Sequence, residues 1–283
     1  MPDTALRPLT FGEILDHAVN LYRRLFVPLV LVQVCCVGWI YPIQVYSAAN
    51  GQQLGVGYLL IMLASFVLSA LASTAVALII SENYLGRTLA ALPALRQARR
   101  MLGAVITLSL AMGLVLMVSS IPAAGALTAG MAFMLPSALG VPRNPGFGAL
   151  LMLSGFGLML VPVAIFAGLA VSTPALVLER LEATQALRRS WALTRGSRLR
   201  VIGVLFVTAL LISIPFVGVM GVAGAFSAGR AETTVSLLML SLSYVVSLVV
   251  TPLFYCVLTL LYYDLRVRKE AFDLEVLAAA MPS

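Results

Sequence analysis

Residues 58–80 read YLLIMLASFVLSALASTAVALII, and this stretch decides the fold class. It holds no Asp, Glu, Lys, Arg or His. A run of about 18 or more such residues, at about 1.5 Å rise each, crosses a hydrocarbon core of roughly 30 Å. In that solvent each backbone N–H and C=O must pair within its own segment, so the run reads as a helix. Five further runs of this kind lie at about 26–46, 102–135, 150–178, 201–226 and 235–263. Composition agrees: 61% of the chain is hydrophobic and 10% charged, where soluble domains carry about 25% charged residues. We therefore expect an all-α, polytopic membrane helix bundle of six transmembrane helices, a single integral membrane domain over 1–283. The first run follows a segment containing Glu13 and Asp16. It exceeds the roughly 7–15 residues of a signal-peptide core, so it reads as a span.

The charges give the orientation. Of 18 basic residues, Lys269 is the one lysine. Arg7, Arg23 and Arg24 precede the first span. Arg87, Arg96, Arg99 and Arg100 separate the second from the third, and Arg180, Arg188, Arg189, Arg195, Arg198 and Arg200 the fourth from the fifth. Arg266, Arg268 and Lys269 follow the sixth. The intervening connections hold only Arg143 and Arg230. By the positive-inside rule both termini are cytoplasmic, in the cytoplasmic (inner) membrane. The net charge of +7 is thus split among short segments beside spans. That pattern suits anionic lipid headgroups and argues against nucleic acid.

The segments between spans are amphipathic. Over 10–25, Thr10 and Glu13 have capping-box spacing, and Phe11, Ile14, Leu15, Ala18, Leu21 and Leu25 share one helical face. Segments 88–100 and 184–195 repeat the design, Gly196 ending the latter. Such helices are expected to lie in the headgroup layer, apolar face down. The sixth span is expected to continue as a helical extension over 264–280, with i,i+4 pairs Asp264–Arg268, Arg266–Glu270 and Lys269–Asp273. An interfacial helix, a span out and a span back thus recur, suggesting a threefold internal repeat. The returning spans end at acids, Glu82, Glu179 and Asp264. Each acid is either paired with an Arg of a neighbouring unit or simply solvated.

Inside the spans, groups able to do chemistry are scarce. None contains an ionisable Asp, Glu, Lys, Arg or His, which argues against a proton relay. Tyr244, Ser247, Thr251 and Tyr255 share a face of the sixth span, and Ser65, Ser69 and Ser73 a face of the second. These faces read as small-residue packing with hydroxyls bonded locally, or as a polar groove. Gly218, Gly221 and Gly224 fit tight packing, and Pro162, Pro215 and Pro252 fit kinks near mid-span. Pro122 is a further expected kink. Cys35, Cys36 and Cys256 read as apolar packers, and the single histidine, His17, lacks the convergent partners of a metal site. No catalytic motif, metal site or cofactor site is expected.

Three stretches carry a resemblance. They are RPLTFGEILDHAVNLYRRLF at 7–26, PALVLERLEATQALRRSWALTRGSRLRVIG at 174–203 and LLYYDLRVRKEAFDLE at 260–275. Together they resemble the membrane domain attached to some glycerophosphoryl diester phosphodiesterases and its stand-alone relatives, over essentially the whole chain. In such phosphodiesterases the resemblance implies that catalysis belongs to a separate barrel, using histidines and metal-binding carboxylates. One histidine and no room for a barrel of about 250 residues imply that this chain is no enzyme.

The reading that follows is a non-catalytic membrane module engaging lipid or a partner protein through its Arg-rich cytoplasmic helices. The contact residues would be Arg188, Arg189, Trp191 and Arg195, with Arg96, Arg99 and Arg100. The alternative is a transporter or lipid-handling permease with a polar groove between kinked spans four to six. A reporter fused after Ser283 is expected to register the cytoplasm; a signal from the far side would refute the six-span arrangement.

Overall fold

The computed structural model describes residues 9–50, 55–84, 86–134, 144–227 and 232–270. Among them every regular element is a helix. The elements are α1 (Phe11–Arg24), α2 (Phe26–Val37), α3 (Ile40–Asn50), α4 (Val56–Tyr84), α5 (Ala91–Arg100), α6 (Leu102–Met134), α7 (Pro145–Leu158), α8 (Leu160–Leu169), α9 (Ser172–Glu179), α10 (Ala183–Thr194), α11 (Arg198–Ser227) and α12 (Glu232–Glu270). Six stretches are long and apolar enough to cross a membrane: Phe26–Ile43, Val56–Tyr84, Leu102–Met134, Pro145–Glu179, Arg198–Val222 and Val235–Glu270. The expected all-α bundle of six spans is therefore present.

Two spans are segmented where the sequence reads as continuous. The first breaks at Gly38–Trp39, the fourth at Met159 and again at Ala170–Val171. Proline position explains most of this. Pro28, Pro42, Pro93, Pro162 and Pro174 each stand third in α2, α3, α5, α8 and α9. A proline there lacks an N–H that would have no intrahelical acceptor, while its ring prevents the helix from continuing upstream. Pro162 thus starts a helix rather than kinking mid-span. Pro122, Pro215 and Pro252 lie inside the uninterrupted α6, α11 and α12.

The three short helices α1, α5 and α10 share one local design. Their N-cap residues Thr10, Ala90 and Glu182 have ψ of 167, 159 and 161 at φ near −74. The aligned stretches are LTFGEILDHA (9–18), LAALPALRQA (89–98) and LEATQALRRS (181–190). In each, leucine precedes the cap and packs on the core, as hydrophobic staples do. Helical positions four and eight are buried throughout: Ile14 and Ala18, Ala94 and Ala98, Ala186 and Ser190. Each helix packs on the returning span before it in cyclic order, α5 on α4, α10 on α9 and α1 on α12. Part of each apolar face, at positions four and eight, is therefore covered by protein where the sequence led us to expect lipid, while Phe11 and Leu92 stay exposed. The small residues at positions four and eight permit that approach.

The buried core sits toward the Arg-rich end. Ala72–Ser81 of α4, Ala175–Val177 of α9 and Cys256–Leu265 of α12 meet there. The opposite half turns apolar side chains outward, including Leu60 and Leu63, Met117 and Ile121, and Ile214 and Val217. That is the surface hydrocarbon would cover.

Tight glycine packing occurs, but elsewhere than expected. A Cβ at Gly218, Gly221 or Gly224 would meet nothing within 4 Å. A Cβ at Gly148 would instead lie 2.8 Å from the Gly130 carbonyl oxygen, and one at Gly155 2.7 Å from the Leu127 side chain. Gly130, Gly148 and Gly155 let α6 and α7 touch backbone to backbone. Gly148→Val is expected to destabilise by about 1–3 kcal/mol, whereas Gly221→Ala leaves the detergent-state unfolding midpoint unchanged or raised.

Candidate functional site

The Arg-rich end is organised around two internal ion clusters. In the first, Asp264 has no exposed side-chain surface. Its carboxylate accepts from the Leu9 backbone N–H at 2.8 Å, from Arg268 Nε at 3.0 and 3.1 Å, and lies 3.2 Å from Arg200 Nη2. Arg200 and Arg268 both also donate to the Leu9 carbonyl. Both polar groups of one residue before α1 are thus gripped by α11 and α12.

In the second cluster, Arg189 of α10 donates from Nε to both oxygens of Glu179 at 2.9 Å. Its two terminal nitrogens donate to Glu270, one of them at 2.7 Å. The Tyr262 hydroxyl donates to Glu179 at 2.5 Å, and Arg266 Nε to Glu270 at 3.2 Å. The bonds from Glu270, then those from Glu179, push the Arg189 pKa up and fix its charge. Of the three acids read from sequence, Glu179 pairs across the expected unit boundary, with Arg189. Asp264 pairs with Arg200 and Arg268 of the same last unit, while it meets the first unit through the Leu9 backbone. Glu82 makes only a local contact with exposed Arg87, at 3.8 Å. The pairs Asp264–Arg268 and Arg266–Glu270 are present as expected. Lys269–Asp273 and the rest of 271–280 lie outside the described residues.

The SWALTRG stretch, 190–196, is explained residue by residue. Ser190 and Thr194 hydroxyls donate to the Gly168 carbonyl at 2.9 and 3.1 Å, docking α10 on the end of α8. The Trp191 ring lies against Gly168, where a Cβ would come within 2.6 Å of it. The Arg198 guanidinium stacks 3.9 Å from the Trp191 ring centroid. Gly196 has φ +86, the left-handed conformation that suits glycine beyond a helix end. The Lys269 ammonium donates to the carbonyls of Ala192 and Arg195, capping the negative end of α10.

Several of the remaining arginines line hollows. One groove, of about 680 Å³, has an apolar floor of Val115, Ile165, Leu169, Leu187 and Trp191. Its rim carries Arg188, Arg195 and Lys269. Arg96 and Arg100 line a second hollow, of about 620 Å³, together with Arg180. Arg99 is exposed outside both. Of the contact residues read from sequence, Arg188, Trp191 and Arg195 are thus brought together, and Arg189 is withdrawn into an ion cluster. Arg180, Arg198, Arg200, Lys269, Tyr262 and Leu9, which the structure places in these clusters and hollows, are not among those contact residues.

The face of the sixth span that reads as packing or as a polar groove divides. Tyr244 donates to the Val37 carbonyl at the α2–α3 break, and Tyr255 reaches Ser73 of α4. Ser247 and Thr251 face a cleft of about 470 Å³ beside α11, walled mainly by Ala209, Ile212, Phe216, Val250 and Phe254. The Ser247 hydroxyl is returned to its own helix at Tyr244. Ser65 and Ser73 do likewise. The face therefore joins helices and fronts an apolar cleft. Among the described residues, no three His, Cys, Asp or Glu side chains converge.

The clusters make a sharp distinction between adjacent residues. Arg189→Lys, with one ammonium for two carboxylates, is expected to cost roughly 2 kcal/mol. Arg188→Lys is expected to leave the unfolding midpoint within error. Asp264→Ala strands two guanidiniums and is expected to cost about 3–5 kcal/mol.

Comparison with known proteins bears on this same region. No curated protein and no solved structure matches the chain. A family model described as the membrane domain of glycerophosphoryl diester phosphodiesterase matches residues 148–277. That range contains α10 with its SWALTRG stretch, both ion clusters save Leu9, and the α12 exit; the 7–26 stretch falls outside it. Over residues 148–277 the chain is similar to this phosphodiesterase membrane domain.

Proposed function

We propose that this membrane protein is a non-catalytic module of the cytoplasmic membrane, both termini cytoplasmic, that holds anionic phospholipid at its Arg-rich end. The observation carrying this reading is the groove beside α10. Val115, Ile165 and Leu169 offer an acyl chain an apolar bed, and Arg188, Arg195 and Lys269 stand above it. Trp191, half apolar and half polar, suits the level between. An apolar floor under a cationic rim matches a lipid's own amphipathic order. A soluble anion would have no use for the floor, and nucleic acid would need a wider cationic face. The acids support a structural assignment, since partly buried Glu179 and fully buried Asp264 are held by arginines. The cleft at Ser247 and Thr251 is too apolar to favour a polar permeation path.

The test is lipid retention. Full-length protein is reconstituted in nanodiscs of phosphatidylglycerol and phosphatidylcholine, released, and weighed with its bound lipid by native mass spectrometry. Phosphatidylglycerol is expected to be retained preferentially. At about 1 kcal/mol for each basic side chain near the surface, Arg188→Gln/Arg195→Gln is expected to lower that retention about thirtyfold. Equal retention of both lipids by the unaltered protein would refute the reading.

A further inference from the structure

The second hollow carries a different ligand chemistry. It opens where α5 meets the start of α6 and the turn between α9 and α10. Arg96 and Arg100 are one helical turn apart and share a face of α5. Arg180 approaches from the opposite wall, and Glu182, Met101 and Leu181 complete the lining. Other arginines at this end are matched by carboxylates: Arg189 has two, and Arg200 and Arg268 share Asp264. Arg96, Arg100 and Arg180 have no ion-pair or hydrogen-bond partner among the described residues. Three like charges around one hollow repel one another unless an anion enters.

The Arg180 backbone adds a second, independent observation. Its φ of 52 and ψ of 44 are left-handed, and it is the one non-glycine with positive φ among the described residues. The position is the C-cap of α9, where glycine would sit without strain. An arginine here aims a guanidinium into the hollow from a backbone conformation that L side chains disfavour. Strain of that kind concentrates where a side chain is used.

We propose that Arg96, Arg100 and Arg180 form a phosphate-ester site, with Glu182 accepting from a hydroxyl or amine on the same molecule. Guanidinium forks match phosphate oxygens bidentately, and Met101 and Leu181 give the ester's carbon portion an apolar wall. Phosphate chemistry is shared by a lipid headgroup and a free phosphate ester. The site uses α5, α6 and the α9–α10 turn, and stands independently of the α10 groove.

The experiment has two arms. In detergent, unfolding of the full chain is followed with inorganic phosphate against chloride at equal ionic strength. In nanodiscs, phosphatidylglycerol retention is read by native mass spectrometry. Both compare Arg96→Gln/Arg100→Gln and Arg180→Gly with the unaltered protein. A phosphate-specific rise in midpoint, weakened about tenfold in both variants, supports the site with a free ester as ligand. No phosphate response, but retention weakened about tenfold in both, supports it with a lipid headgroup. Arg180→Gly relieves the backbone, so the variant is expected to fold at least as well as the parent; unaltered ligand effects in it would overturn the site. No phosphate response, together with retention lost only in Arg188→Gln/Arg195→Gln, would uphold the groove and overturn this second site.

Discussion

The constraint on which the structure depends is the buried carboxylate of Asp264. Leucine gains nothing by leaving lipid tails for another leucine, so apolar burial does little to choose one arrangement of spans over another. Directional bonds must supply that choice. Asp264, Arg200 and Arg268 do so by closing on both backbone groups of Leu9. That links the entry to α1 with α11 and α12, the first and last parts of the chain. Burying a charge is costly unless each partner is present, so the cluster is close to all-or-none. Such a joint tolerates one register of the three segments and penalises its neighbours.

The Arg189 cluster performs the same task for α9, α10 and α12. Three N–H groups of one guanidinium meet four carboxylate oxygens, the Nε–H shared between the two of Glu179 and the terminal nitrogens each reaching one of Glu270. Beside the two joints, α1, α5 and α10 each lie on the returning span before them. Positions four and eight of these helices are small in α5 and α10, and Ile14 is the one larger residue in α1. These helices add to the core at the Arg-rich end, leaving the far half to hydrocarbon.

How much of this the sequence discloses varies with the physics concerned. Span length and absence of charge are properties of one segment, and six spans are legible from them. So are the Thr10–Glu13 capping box and the Gly196 stop. Partner choice is a property of two segments, and there reading fails. Gly218, Gly221 and Gly224 look as suited to close contact as Gly130, Gly148 and Gly155, and nothing local reveals which group meets another helix. Proline was legible in position but not in consequence: its place relative to a helix start decides whether it breaks or kinks. Arg189 is instructive because a signal was present. It stands three residues after buried Ala186 and four before buried Leu193, on the inner face of α10, whereas Arg188 is turned about 100° away. Helical phase separates the two; charge and adjacency do not.

That separation bears on what the arginines are for. The positive-inside rule accounts for their side of the membrane but is indifferent to where on that side they stand. Arg189, Arg200, Arg266 and Arg268 are drawn into ion pairs that hold helices together. Subtracting them removes the residues whose charge serves the fold. Those left are not spread evenly: Arg188 and Arg195 rim a groove with an apolar floor, and Arg96, Arg100 and Arg180 surround a second hollow. A fold needing only topology would scatter these charges into solvent, where mutual repulsion is least. Their convergence beside concave surfaces is unfavourable in the empty protein and favourable once an anion is present. The proposals for lipid at the groove and phosphate at the hollow rest on that difference.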